Sequence, residues 1–187
     1  MVVKGHDFPN VTLVGVINAD TNLNIGDFRA EESTFQTLTQ VAGRAGRGEE
    51  KGRVVVQTFN PENYAIEYAK IQNYDLFYKT EIKVRKALKY PPFCDIILID
   101  VSSKDKLELV KLMKFLHIYL KDRVIGEKFP LLLYSPVTAP IDKIKDRHRM
   151  RIIIKCIYDD RVNALLRDME KYYNDNYLKK IPKPHQE

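Results

Sequence analysis

The chain is poor in cysteine and in long apolar runs, and it lacks a phosphate-binding loop. Cys94 and Cys156 stand 62 positions apart, which makes neither a paired-cysteine zinc site nor a disulfide framework. No apolar stretch approaches the roughly 18 residues that a membrane helix needs. The opening residues show no basic-then-apolar signal pattern either. These absences exclude a disulfide-stapled module and a helical membrane span, and they favour a cytoplasmic location. Nowhere does Gly-x-x-x-x-Gly-Lys-Ser/Thr occur, nor a strand ending in a metal-binding Asp-Glu pair. The residues that hold nucleotide phosphates and Mg²⁺ in a nucleotide-driven motor are therefore missing from this sequence.

The 187 residues, 44% hydrophobic and 30% charged, support one or two modest domains with real cores. The net charge of +6 is uneven. Residues 1–89 carry 12 Lys/Arg against 11 Asp/Glu, whereas residues 90–187 carry 19 against 14. A basic second half favours a nucleic-acid surface, although an ordinary basic domain surface has the same composition.

The densest signal is Gln40-Val-Ala-Gly43-Arg44-Ala-Gly-Arg47. Two arginines three residues apart on one helical turn project the same way. A guanidinium is planar and permanently charged, which suits it to charge developing on a transferring phosphoryl group. Gly43 carries no side chain and lets backbone or ligand approach closely. Alone, the pattern also fits a solvated basic turn. Upstream stands Val3-Lys4-Gly5-His6-Asp7-Phe8-Pro9-Asn10-Val11, then an apolar run that ends at Asp20. That run, Val11 to Ala19, is expected as a strand buried on both faces, as parallel strands are. Glu31 to Ala45 is expected as a helix capped by Ser33 or Thr34, and Arg53 to Phe59 as a second strand.

The order of glycine turn, strand, helix and paired arginines resembles motifs V and VI of superfamily 2 helicases. More narrowly, Lys4-Gly5-His6-Asp7-Phe8-Pro9-Asn10-Val11, then Asp27-Phe28-Arg29 and, further on, Tyr90-Pro91-Pro92-Phe93 and Ser135-Pro-Val-Thr-Ala-Pro-Ile141 resemble the PriA family of replication-restart helicases. The resemblance implies an α/β fold. A partial RecA-like lobe would occupy residues 1–60, a helical connector 61–89, and a small α+β DNA-binding domain 90–187. It implies that the chain is the C-terminal part of an ATP-dependent DNA helicase acting at stalled forks, inactive by itself. Arg44 and Arg47 would be the catalytic fingers, and Gln40 would orient the γ-phosphate or the attacking water. Gly5, Asp7 and Gly43 would lie on the nucleotide side, with Lys4 and His6 facing DNA. His6 has no partner nearby in sequence that would make it a metal ligand or a general base. ATP and Mg²⁺ would be cofactors of the complete enzyme, and zinc would belong to a module outside this chain. Forked or single-stranded DNA, a single-strand-binding protein and primosome proteins are the implied partners. A non-catalytic basic module that grips DNA or a protein is the alternative, as is another superfamily 2 remodeller.

Beyond Glu62 two helices are expected, the second from Asp75 to Leu88, with Glu81 and Arg85 supporting an exposed face. The rest alternates: a strand Cys94–Val101, a helix from the Ser102–Asp105 capping signal to about Arg123, a short strand Leu131–Tyr134, a strand Arg149–Ile157 and a helix after Asp159. Leu109, Leu112, Met113, Leu116 and Leu120 form a core-facing stripe. Six Lys/Arg fall between Ile141 and Lys155, against two acids. Lys143, Lys145, Arg147, Arg149 and Arg151 are the candidate DNA contacts, with Tyr134 and His148 as candidate stacking residues. On a strand, Arg149, Arg151 and Lys155 share one face and Ile152 and Ile154 the other. The family closes this domain with a further strand. Here two prolines two residues apart, Pro182 and Pro184, argue against it.

Overall fold

The computed structural model describes residues 11–24, 26–45 and 52–178. The chain is mixed α/β and divides into two compact units, Met1–Leu88 and Lys89–Glu187. In the first, β1 (Leu13–Val16) leads through α1 (Asp20–Leu23) and α2 (Ala30–Ala42) to β2 (Arg53–Val56), and α3 (Tyr64–Lys70) and α4 (Tyr74–Ala87) follow. Strands β1 and β2 pair in parallel, Leu13 opposite Arg53 and Val16 opposite Val56. A parallel pair needs a crossover, which α1 and α2 provide. Buried Asp20 ties the end of β1 to the exit of β2. Its carboxylate accepts from the Thr58 hydroxyl at 2.8 Å and the Phe59 amide at 2.9 Å. These bonds, the Phe59 amide first, hold its carboxyl below the usual carboxylate range.

The core of this unit gathers Phe35 and Leu38 of α2, Ala65, Ile66 and Ala69 of α3, and Phe77 of α4, with Val16 and Val56 packed against them. Phe35 and Phe77 stack with centroids 4.4 Å apart. Within residues 61–89, α3 and α4 supply core side chains to this unit. The opposite face of the β1–β2 pair is bare among the described residues. Leu13 is 62% exposed and Val55 52%, which corrects the expectation of burial on both faces. Helix α2 begins at Ala30 with no side-chain cap. Thr34 lies inside the helix, its buried hydroxyl donating to the Ala30 carbonyl.

The Glu81–Arg85 pair also lies on the inner side of α4. Glu81 is buried, and it accepts from the Tyr64 hydroxyl and from Arg85 Nε. Arg85 Nη2 continues to Glu32 of α2 at 2.8 Å, and its guanidinium lies over the Phe28 ring. The spacing of four residues sets which side chains are neighbours and leaves open which way they face. Burial and the bond to Glu81 push the Tyr64 hydroxyl far above its ordinary pKa.

The second unit is a sheet backed by two helices. β3 (Asp95–Ser103), α5 (Lys106–Gly126), β4 (Leu132–Leu133), β5 (Val137–Ile144), β6 (Arg147–Cys156) and α6 (Asp160–Asn176) follow in order. Strand β6 is central. One side pairs antiparallel with β3, from Asp95 opposite Cys156 to Ser103 opposite His148. The other pairs with β4 near Ile154 and with β5 near Arg147 to Arg151. Strand β5 is absent from the sequence-based pattern. It carries Pro140, an irregular register between Thr138 and Lys143, and a two-residue turn at Lys145 and Asp146, both at positive φ. Two positive φ values are what a tight hairpin turn requires, usually met by Asn-Gly.

Ile97, Ile99, Val101, Ile152, Ile154 and Cys156 face Leu109, Leu112, Met113, Leu116 and Leu120 of α5 and Val162 and Leu165 of α6. Each large apolar side chain so buried contributes about 1.5–3 kcal/mol. Asp105 caps α5 by accepting from the Leu107 and Glu108 amides, and Asp159 caps α6 by accepting from Val162. A closing strand in the tail lies outside the described residues, and among those described β3 has no strand on its outer edge.

Glu81→Ala should destabilise the first unit by about 3 kcal/mol in a denaturant titration, because it strips a buried partner from both Arg85 and Tyr64. A loss below about 0.5 kcal/mol, the size expected for a surface change, would show the network to be incidental. In the second unit Asp100 accepts from Arg151 at 2.7 and 2.9 Å, and that bond holds its carboxyl below the ordinary carboxylate range. A depressed carboxylate stabilises the fold above its unfolded pKa of about 3.9 and loses that contribution as pH falls through the folded value. Asp100→Asn should therefore lower the denaturation midpoint near neutrality and converge with wild type in strong acid. Parallel curves at every pH would contradict the linkage.

Candidate functional site

Two regions hold the residues singled out in the sequence. In the first unit, α2 ends at Ala42, and Gly43 caps it with φ −67°. The Arg44 amide donates to Val41 and the Ala45 amide to Ala42, at 3.0 and 3.3 Å. Arg44 thus sits in a tightened turn beyond the helix rather than on its last helical turn. It is half-buried, and Gln40, one turn earlier, is exposed. Among the described residues, a methyl group at Gly43 would meet the Thr39 and Gln40 carbonyls at 3.6 Å, which is ordinary contact, and its φ of −67° is one that any residue adopts. Lys4, Gly5, His6, Asp7 and Arg47 lie outside the described residues.

In the second unit the cation strip folds into the β5–β6 hairpin, where most of its charges meet partners on their own sheet. Arg149 and Arg151 do share the face opposite the core, but Asp100 stands directly across from Arg151. It takes two hydrogen bonds from that residue and lies 3.8 Å from Arg149. Arg147 donates to the Ser102 hydroxyl and carbonyl at 3.0 and 2.6 Å. Lys143 pairs with Asp146 at 3.0 Å. Lys145 is exposed at the turn. One acid, Asp100 of β3, meets both Arg149 and Arg151 from about 50 residues earlier in the chain, and Asp146 of the turn meets Lys143.

Lys155 departs further from expectation. It is only 8% exposed, and its ammonium lies 3.7 Å from the Tyr90 ring centroid and 5.6 Å from that of Tyr134. The aromatic faces stabilise a cation that has lost most of its water, and Tyr134 serves that contact while staying 42% exposed. His148 has the parity of Met150 and Ile152, on the helix-covered face. It does not share the face of Arg147, Arg149 and Arg151. Tyr134 and His148, the two candidate stacking residues, thus lie on opposite faces of the sheet.

A further set of cations is hidden in the sequence because an acid interrupts it. Lys79, Lys83 and Lys86 are exposed on α4. Glu81, the one acid that interrupts the run, turns inward together with Arg85. Helical period would have found the set once the inner face was known. Among the described residues no group of three or more His, Cys, Asp or Glu gathers as a metal site, and no helix is long and apolar enough to cross a membrane.

Comparison with known proteins agrees with these features. The profile of the primosomal protein N C-terminal domain family matches residues 86–181. The chain is 42% identical over 173 residues to the replication restart protein PriA of Bacillus subtilis, covering 92% of this chain and 21% of that protein. The protein of the same name from Synechocystis is 39% identical over 155 residues, 83% of this chain and 18% of the relative. That from Rickettsia felis is 36% identical over 163 residues, 87% and 24% respectively. The chain thus spans about a fifth of the length of the curated relatives it matches. With its family profile laid over the β3–α6 unit, the chain belongs to the primosomal protein N C-terminal domain family.

Proposed function

We infer that this chain serves replication restart as the C-terminal part of a cytoplasmic, ATP-dependent DNA helicase. It would supply half of a RecA-like motor lobe and a DNA-binding domain. The observation that carries this reading is the parallel β1–β2 pair whose crossover helix ends in the Gly43–Arg44 turn. In such sheets ligands bind beyond strand ends, near the loops. Among the described residues β1 and β2 pair with no further strand, which fits a sheet continued at its edges.

Bound Mg·ATP would supply the phosphoryl group and its developing negative charge. The chain's own contribution is positional. Arg44, and Arg47 beyond it, would present guanidinium groups across a cleft to that charge. Gln40 would orient the γ-phosphate or attacking water, and Gly5, Asp7 and Gly43 would border the nucleotide. Lys4 and His6 would face the DNA strand. In this reading the metal-holding groups would belong to another lobe, and zinc to another module. The β5–β6 hairpin would add a DNA contact through Lys143, Lys145 and Arg147 at its tip, with Arg149 and Arg151 held in place by Asp100. A single-strand-binding protein and primosome proteins are the further partners of this reading.

In the complete motor, Arg44→Ala or Arg47→Ala should lower ATP turnover by about 10³-fold while DNA affinity stays near wild type, as a finger acting in the transition state predicts. Near-wild-type turnover in both variants would reduce the motif to a structural turn. For the hairpin, Lys143→Ala/Lys145→Ala/Arg147→Ala should weaken binding to every DNA sequence alike. The log–log salt slope should drop by about 2 to 3. Unchanged affinity and slope in a gel-shift titration would make the hairpin a solvated edge.

A further inference from the structure

We propose that the outer face of α4 is a second nucleic-acid contact, a lysine stripe edged by a stacked tyrosine pair that takes single-stranded nucleic acid. The inference rests on the nucleic-acid reading above but places the contact on residues that neither motif includes. Lys79, Lys83 and Lys86 follow the spacing of one helix face, and all three are exposed. None forms an ion pair among the described residues. This distinguishes them from the hairpin, where Lys143, Arg149 and Arg151 already meet carboxylates.

The local charge is unopposed for a structural reason. Glu81, the acid within the stripe's length, is buried and holds Arg85 and Tyr64. The outward surface from Lys79 to Lys86 therefore bears three positive charges and no negative one. Asp75, in the first turn of α4, is the nearest acid on the helix surface, one turn before Lys79. From Lys79 to Lys86 the helix rises about 10 Å, enough to follow a short run of phosphates.

Beside the stripe, Tyr74 and Tyr78 stack with centroids 6.2 Å apart. They remain 60% and 50% exposed. Tyr74 is anchored from behind by Phe35 and Phe77, at 6.1 and 6.5 Å, so Tyr78 sits on a fixed ring. Tyr78 lies on the helix surface between Tyr74 and the lysines, where an unpaired base could extend the stack while its phosphates meet Lys79, Lys83 and Lys86. Bases buried in a duplex cannot reach an aromatic ring this way, so the tyrosine selects single strands and the lysines select phosphate.

The test is a fluorescence-anisotropy titration of the 187-residue chain with a mixed-sequence single-stranded oligonucleotide and the matching duplex, at several salt concentrations. Lys79→Ala/Lys83→Ala/Lys86→Ala should lower the single-strand salt slope by about 2, and the triple Lys→Arg variant should restore it. Tyr78→Ala should weaken single-strand binding about 10-fold with little change for duplex, and Tyr78→Phe should bind as wild type. All these side chains are exposed and alanine favours helix, so unchanged circular dichroism would show that the fold persists. A triple alanine variant with wild-type affinity and slope overturns the proposal. If the hairpin variant alone loses binding, the hairpin reading stands and this one falls. If the α4 variant alone loses it, the reverse holds. Polyglutamate of equal charge that displaces the oligonucleotide at equal concentration would also overturn the assignment to nucleic acid.

Discussion

Strand β6 is the constraint on which the second unit depends. It pairs on both sides, so every side chain from Arg147 to Cys156 is committed to one face or the other with a period of two. Ile152, Ile154 and Cys156 go inward and seat α5 and α6. Arg149, Arg151 and Lys155 are thereby forced onto the opposite face. There the protein has to compensate each cation: Asp100 meets the two arginines, and Tyr90 and Tyr134 surround the lysine. A slip of one residue would turn three cations toward the helices and the core side chains away from them. The same alternation that builds the hydrophobic layer thus also writes the charge pattern of the open face.

The first unit answers to a different constraint. Two parallel strands bury little by themselves, and their order depends on helices laid across them. Here α2, α3 and α4 cover one face through Phe35, Ile66 and Phe77. The Tyr64–Glu81–Arg85–Glu32 chain, centred on buried Glu81, ties the three helices together. Turning Glu81 inward leaves lysines as the outward charges between Lys79 and Lys86. The helix that carries the Gly43–Arg44 turn and the helix that carries the lysine stripe are packed into one core, so both surfaces are held by the same few side chains.

How much of this was legible in the sequence follows from the physics of each element. The α5 stripe was readable because five apolar residues at helical spacing have one interpretation. The caps at Asp105 and Asp159 were readable because a side-chain acceptor before an apolar run is a local signal. Strand β5 was not, since proline, an irregular register and a Lys-Asp turn remove every usual mark of a strand. The pairing of Arg149 and Arg151 with Asp100 was invisible because it joins residues about 50 positions apart. The Glu81–Arg85 spacing was seen and its direction misjudged, since a salt-bridge spacing fits either face. The family itself was legible because several motifs occur in order, each too short to decide alone.

The nucleic-acid reading proposed above rests on two surfaces, the unpaired lysines of α4 and the partly paired cations at the hairpin tip. The direct measurement is a map of backbone amide chemical-shift changes in the ¹⁵N-labelled chain as a single-stranded oligonucleotide is added. The account predicts changes concentrated at Lys79 to Lys86 of α4 and at Lys143 to Arg147 of the hairpin tip, with the α5 and α6 surfaces unmoved. Changes confined to α5 and α6, or none at saturating oligonucleotide in low salt, would contradict it.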